Sequence, residues 1–183
     1  MKQLAFALAV TGAFALSVPA FPAHATQSYE ARVTASAASR AAIADMVSVF
    51  GTDHLKPGKY LWRDDAADIP GPDRVVISLD NQLAFLYRGG ELVAAASIST
   101  GMDGRESPAG VFNILDKKPI YHSKKYDNAP MPWMQQITSY GIALHAGPNP
   151  GYPASHGCIR LPSAFAKKLY TVTDVGTPVL IGA

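Results

Sequence analysis

"RVVISLDNQLAFLYRGGELVAAASIST", residues 74–100, decides the fold class. Two apolar, partly alternating runs, "RVVISL" and "QLAFLYR", are separated by Asp80-Asn81, a two-residue turn signal. Gly89-Gly90 supplies a second tight turn before "ELVAAASIST". Three short strands in a meander therefore start the folded region. Outward from it, "GMDGRESPAG" (101–110) reads as a loop and "VFNIL" (111–115) as a strand. "ITSYGIALHA" (137–146) and "TPVLIG" (177–182) read as two more strands. "PSAFAKKLYTV" (162–172) opens on Pro and Ser and sets Phe165, Leu169 and Val172 on one helical face. Short strands with turn signals and little helix predict a mainly β fold, a β-sandwich or distorted barrel with one or two short helices. The irregular stretches 117–136 and 147–155 are the expected places for function.

The chain has 183 residues and a formal net charge of +2. Its first 25 residues, "MKQLAFALAVTGAFALSVPAFPAHA", place Lys2 before an apolar run that closes on Ala23-His24-Ala25. That layout predicts a cleavable signal peptide, with export to the periplasm or cell wall and no membrane attachment after cleavage. Pro19 and Pro22 interrupt the run, which argues against a spanning helix. Residues 26–72 form an N-terminal extension, in which Ala42, Ile43, Met46, Val47 and Phe50 predict a helix over 36–50. An irregular connector, dense in Gly, Pro and Asp, follows. The near-neutral balance and the lack of a basic run argue against a nucleic-acid partner, and none is expected.

One cysteine, Cys158, stands in "PASHGCIRLP" (153–162). A single thiol cannot close an internal disulfide, and in an oxidising compartment it is a liability unless buried or used. A lone cysteine is commonly a small buried hydrophobe, but the polar His-Gly-Cys setting and the export signal favour use. If 156–161 is extended, His156, Cys158 and Arg160 share one face while Ile159 and Leu161 enter the core. Gly157 lets backbone N–H groups approach a reacting carbonyl oxygen. A thiol needs a base, since at neutral pH it is mostly protonated. His145 ends the run "GIALHA" and opens a Gly/Pro-rich loop that returns the chain to Cys158, so two adjacent strand ends can bring imidazole and thiol together. His156, two residues from the thiol on the same strand, is badly directed for that role and is expected to order the loop. His54 and His122 stand alone and are read as surface residues.

"HAGPNPGYPASHGCIRLP" (145–162) resembles the signature of the L,D-transpeptidase catalytic domain, the YkuD family, in which a His precedes a Ser/Thr-His-Gly-Cys-x-Asn/Arg block. "VISLDNQLAFLYRGGELVAAASISTG", "SPAGVF" and "GTPVLIG" are similar to that family's strands in their usual order. The resemblance covers about residues 73–183. It implies that Cys158 is a nucleophile attacking a peptidoglycan stem tetrapeptide, with His145 as general base and acid. It further implies that the Ala146 carbonyl orients the imidazole and that Gly157 and Cys158 N–H groups form an oxyanion hole. Ser155 and His156 are expected to shape the loop, and Arg160 to order the pocket or meet a substrate carboxylate. The segment 121–140 is the expected lid and groove, with Trp133 and Tyr140 as substrate contacts. The acceptor is a neighbouring stem amine, an envelope protein's lysine, or water, so hydrolysis (L,D-carboxypeptidase, endopeptidase or amidase) stays an alternative. A non-catalytic wall-binding module is a remoter one. No cofactor is implied. A zinc peptidase using His145, His156 and Cys158 is disfavoured by the tight His-x-Cys spacing and the lack of a metal motif.

Overall fold

The structure, a computed structural model, describes residues 25–183. The expected signal peptide, apart from Ala25, lies outside the described residues. In chain order the elements are α1 (Tyr29–Phe50), β1 (Tyr60–Trp62), β2 (Asp73–Ser78), β3 (Leu83–Arg88), β4 (Glu91–Ser97), β5 (Gly110–Asn113), β6 (Asp116–Lys118), β7 (Met134–Gln136), β8 (Ala143–Ala146), β9 (Ile159–Leu161), α2 (Ser163–Val172) and β10 (Pro178–Gly182). They form a six-stranded sheet, ordered β1-β4-β3-β2-β10-β5, and a four-stranded sheet, ordered β6-β7-β8-β9. The fold is mainly β with two helices, as expected, though α1 at 22 residues is not short.

The meander of residues 74–100 nucleates the larger sheet. Gly89 and Gly90, at φ 55° and 94°, make the two-residue turn that sets Arg88 opposite Glu91. The first turn is longer than expected. It spans residues 79–82 and ends on Gln82 at φ 51°, whose amide Nε2 donates to Leu79 O at 2.7 Å. The strands read as apolar runs, not strict alternations, because both faces of this sheet are covered. Val75, Ile77, Leu86 and Phe112 face the second sheet and α2, whereas Val76, Phe85, Leu92 and Leu180 lie under α1.

Helix α1 begins at Tyr29, where Ser28 Oγ accepts from the Ala31 N–H at 3.2 Å, and not at residue 36. Its buried face is Ala31, Ala35, Ala42 and Met46. Small side chains let it lie directly on the sheet: a Cβ added to Gly182 would sit 2.5 Å from Ala35 O. Val47, expected on the apolar face, is half-exposed. Tyr87 Oη donates to Asp45 Oδ2 at 2.6 Å and pins the helix to β3. The extension 26–72 thus contributes a covering layer and, through β1 on β4, an edge strand.

The smaller sheet carries the function-bearing segments. β7 lies within the stretch expected to be irregular, and the strand expected over 137–146 is confined to Ala143–Ala146. Residues 137–142 instead close a tight turn, with the Ile137 N–H donating to Ile142 O at 2.8 Å. Two strand pairs are parallel, β10 with β2 and β9 with β8. The sheets are stitched where Ser99 and Arg160 exchange backbone hydrogen bonds at 3.0 and 2.9 Å. No helix among the described residues is long and apolar enough to cross a membrane.

Candidate active site

The parallel register of β8 and β9 pairs Leu144 with Ile159 and His145 with Arg160. Leu144, Ile159 and Leu161 point into the core and are fully buried. The alternate residues, His145 and Arg160, must then face the other way. Cys158, just before β9, sits diagonally across from His145 on that same side. All three line one cavity of about 680 Å³, together with Ser155, His156, Tyr140 and the hairpin residues described below.

His145 Nδ1 lies 2.8 Å from Ala146 O. A carbonyl oxygen can only accept, so Nδ1 holds the proton and Nε2 carries the lone pair. Burial holds the imidazole below its ordinary pKa of 6.5, the Ala146 bond opposes this, and Arg160 adds to it. Burial also pushes the Cys158 thiol above its ordinary 9.0, against the Ala143 backbone amide and Arg160, which favour the thiolate. Desolvation thus favours the neutral form of each group, and the two line one cavity with no hydrogen bond between them among the described residues. A neutral thiol and a neutral imidazole in one cavity suit proton transfer from sulfur to nitrogen once an approaching electrophile draws them together. The sulfur also lies 3.8 Å from Gly141 O, a weak contact.

The loop holding Cys158 is locked from below. Residues 156–158 form a bend, not the extended strand expected, because Gly157 adopts φ 109°. Ser155 is buried, and its Oγ donates to Cys158 O while accepting from the Gly157 N–H at 3.1 Å. The Gly157 amide, expected to serve an oxyanion hole, is thereby engaged by Ser155 in this structure. The Cys158 N–H makes no hydrogen bond among the described residues. Thr100 O accepts from the Ala154 and Ser155 N–H groups at 3.0 Å each. Gln82 holds Thr100 in turn, its Nε2 donating to Thr100 Oγ1 at 2.7 Å and its Oε1 accepting from the Thr100 N–H at 3.0 Å. Ser107 Oγ donates to Gly157 O at 2.8 Å and accepts from the Gly101 N–H at 3.0 Å. The sequence reading missed Gln82, Thr100 and Ser107. The positive φ of Gln82 carries no sequence signal, and the loop 101–110 offered only composition.

Residues 119–133 form a hairpin beside the cavity, its stem closed by the Met131 N–H donating to Tyr121 O at 2.8 Å and the Ser123 N–H to Ala129 O at 2.9 Å. Tyr126 stacks on the exposed His156 ring at 4.5 Å between centroids, so His156 belongs to the mouth of the cavity. Tyr140, 61% exposed, lines the cavity. Trp133 does not. Expected as a substrate contact, it packs instead against the core and Tyr170 of α2, with ring centroids 5.5 Å apart, outside the lining of this cavity. Arg160 covers Gly147 with its aliphatic stem and is one of the residues lining the cavity. Among the described residues no cluster of three His, Cys, Asp or Glu could hold a metal ion.

The family model of the L,D-transpeptidase catalytic domain (YkuD) matches residues 72–181, more than half of the chain. Among solved structures, an L,D-transpeptidase from Stackebrandtia nassauensis is 26% identical, with a TM-score of 0.56 and 64% of this chain and 60% of that one covered. Another, from Xylanimonas cellulosilytica, is 27% identical with a TM-score of 0.56, covering 61% of each chain. An L,D-transpeptidase from Mycobacterium tuberculosis H37Rv, at 22% identity, shares the fold with a TM-score of 0.57 over 60% of this chain and 57% of that one. The chain spans about three fifths of the length of these solved chains. A search of the curated proteins found no match. The cavity built by β8, β9 and the Ser155–Cys158 loop lies wholly inside the matched region, and the chain belongs to the L,D-transpeptidase catalytic domain family.

Proposed function

We propose that this protein is a cysteine-dependent L,D-transpeptidase acting on peptidoglycan stem tetrapeptides. The observation that carries this is the His145 Nδ1 bond to Ala146 O, which leaves Nε2 as a base in the cavity that Cys158 also lines. In the first half-reaction Nε2 takes the thiol proton as sulfur attacks the carbonyl carbon of the stem's third residue. The Cys158 N–H is the donor assigned to the developing oxyanion. The C–N bond then breaks, and His145 gives its proton to the departing D-alanine amine, leaving a thioester on Cys158. In the second, an amine of a neighbouring stem attacks the thioester carbonyl, His145 takes the amine proton, and that proton returns to the sulfur. The product is a 3→3 crosslink and the thiol is restored. A lysine of an envelope protein would enter by the same step, and water would make the enzyme a hydrolase. Thiol and imidazole suffice for this acyl transfer without a cofactor. Peptidoglycan lies outside the cytoplasmic membrane, and the export expected from residues 1–25 would deliver the enzyme there, to the periplasm or cell wall.

An L,D-transpeptidase of this fold has been solved in complex with imipenem. Here the same drug should raise the intact mass by one molecule, on Cys158 alone, and Cys158→Ala should stay unmodified. Incubation with purified muropeptides should give crosslinked dimers with loss of D-alanine. Absence of both the adduct and any muropeptide conversion would refute the proposal; release of D-alanine without dimers would replace transpeptidation by hydrolysis.

A further inference from the structure

The rim of the cavity is cationic. Lys124 and Lys125 line it from the hairpin and Arg160 from β9, and no Asp or Glu is among the lining residues. Arg105 approaches from the loop after β4, its Cζ 5.6 Å from the centre of the Tyr126 ring. Lys125 Nζ lies 5.4 Å from the same ring, on which His156 stacks. None of these four cations has a carboxylate within 4.0 Å among the described residues, whereas Arg63, Arg88 and Lys118 elsewhere each do. The lysine turn is also held in place. Ser123 Oγ accepts from the Lys125 and Tyr126 N–H groups at 3.3 and 3.0 Å, and the Ala129 N–H donates to Tyr126 O at 2.9 Å. Like charges gathered at the mouth of a half-enclosed site repel one another and raise the local concentration of anions.

We infer that this rim, Lys124, Lys125 and Arg105 around Tyr126 with Arg160 below, is a subsite for carboxylates of the donor peptide. The inference rests on the transpeptidase reading for the identity of that peptide. A donor carrying free carboxylates away from its scissile amide neutralises the rim as it docks. A carboxamide peptide of the same shape leaves the repulsion in place. The enzyme therefore discriminates between the acid and amide forms of one stem peptide.

Binding to the Cys158→Ala protein tests this without turnover. Calorimetric titration with a stem tetrapeptide and with its carboxamide analogue should show the acid form bound about tenfold tighter at ~50 mM salt, the gap narrowing at ~500 mM as screening shortens. Adding Lys124→Gln and Lys125→Gln should weaken the acid form about five- to tenfold, two exposed pairs' worth, and the amide form less than twofold. Thermal melting confirms that the variant folds. Equal affinity of the two peptides would overturn the subsite, as would an equal loss for both on lysine removal. So would unchanged donor affinity together with, when the two lysine substitutions are made in the enzyme that keeps Cys158, an altered partition of its thioester between amine and water, which would assign the rim to the acceptor. Acid-selective binding in a protein that converts no muropeptide would refute the catalytic reading alone, and conversion without acid selectivity would refute the subsite alone.

Discussion

Replacing His145 with alanine separates a neutral-base mechanism from a preformed thiolate. At the ordinary thiol pKa of 9.0, about one cysteine in a hundred is ionised at pH 7, and burial of Cys158 makes it fewer. At the ordinary imidazole pKa of 6.5, about three quarters of His145 is neutral at pH 7, and burial makes it more. The wild-type acylation rate should therefore fall as pH drops through a value below 6.5, where the base becomes protonated, and run flat from there to pH 8. His145→Ala leaves only the thiolate route. At pH 7 the rate should drop on the order of 10²- to 10⁴-fold, the usual worth of a general base. It should then climb about tenfold per pH unit toward pH 9, recovering up to about a hundredfold, because each unit multiplies the thiolate tenfold. Carbapenem acylation followed by intact mass against time, from pH 5 to 9, reads both profiles, with melting to confirm the fold. A wild-type rate rising tenfold per unit through pH 7–8 would refute the neutral-base reasoning. A pH-independent defect in His145→Ala, or the large pH-rescued defect appearing in His156→Ala instead, would refute the assignment of the base.

Ser155→Ala removes the partner of both Gly157 N–H and Cys158 O in a buried loop; unsatisfied groups of this kind cost about 1–3 kcal/mol. Its melting temperature should fall by several degrees and its acylation slow, and an unchanged melt would show that Ser155 does not hold the loop. A chain beginning at residue 73 lacks α1 and β1 and bares Phe85, Leu92 and Leu180. It should aggregate, whereas one beginning at residue 26 stays soluble, and a monomeric, cooperatively melting 73–183 fragment would refute the covering role of α1.

What the sequence by itself determined is local. Gly89-Gly90 enforces one turn because few other residues tolerate φ 55° and 94° in succession, and the hairpin of β3 and β4 follows from it. The Phe165 and Leu169 spacing suffices for α2. The His145 and Ser155–Arg160 block is a run of residue types whose chemistry is legible before any fold. The start of α1 was not legible, since Ala31 and Ala35 are too small to show an apolar period. β7 was hidden because three residues hold no pattern, and its place comes from pairing with Lys118 on one side and Ala143 on the other. Only the tertiary structure decided that Trp133 turns to Tyr170, that Gly157 spends its amide on Ser155, and that Gln82 clamps Thr100 beneath the thiol. It also decided the diagonal of His145 and Cys158, which depends on a parallel register between strands joined by a Gly/Pro-rich loop. Chain neighbours set turns and helix faces through sterics and short-range hydrogen bonds. Residues far apart in sequence meet only when two sheets have chosen their register and burial has removed the water between them.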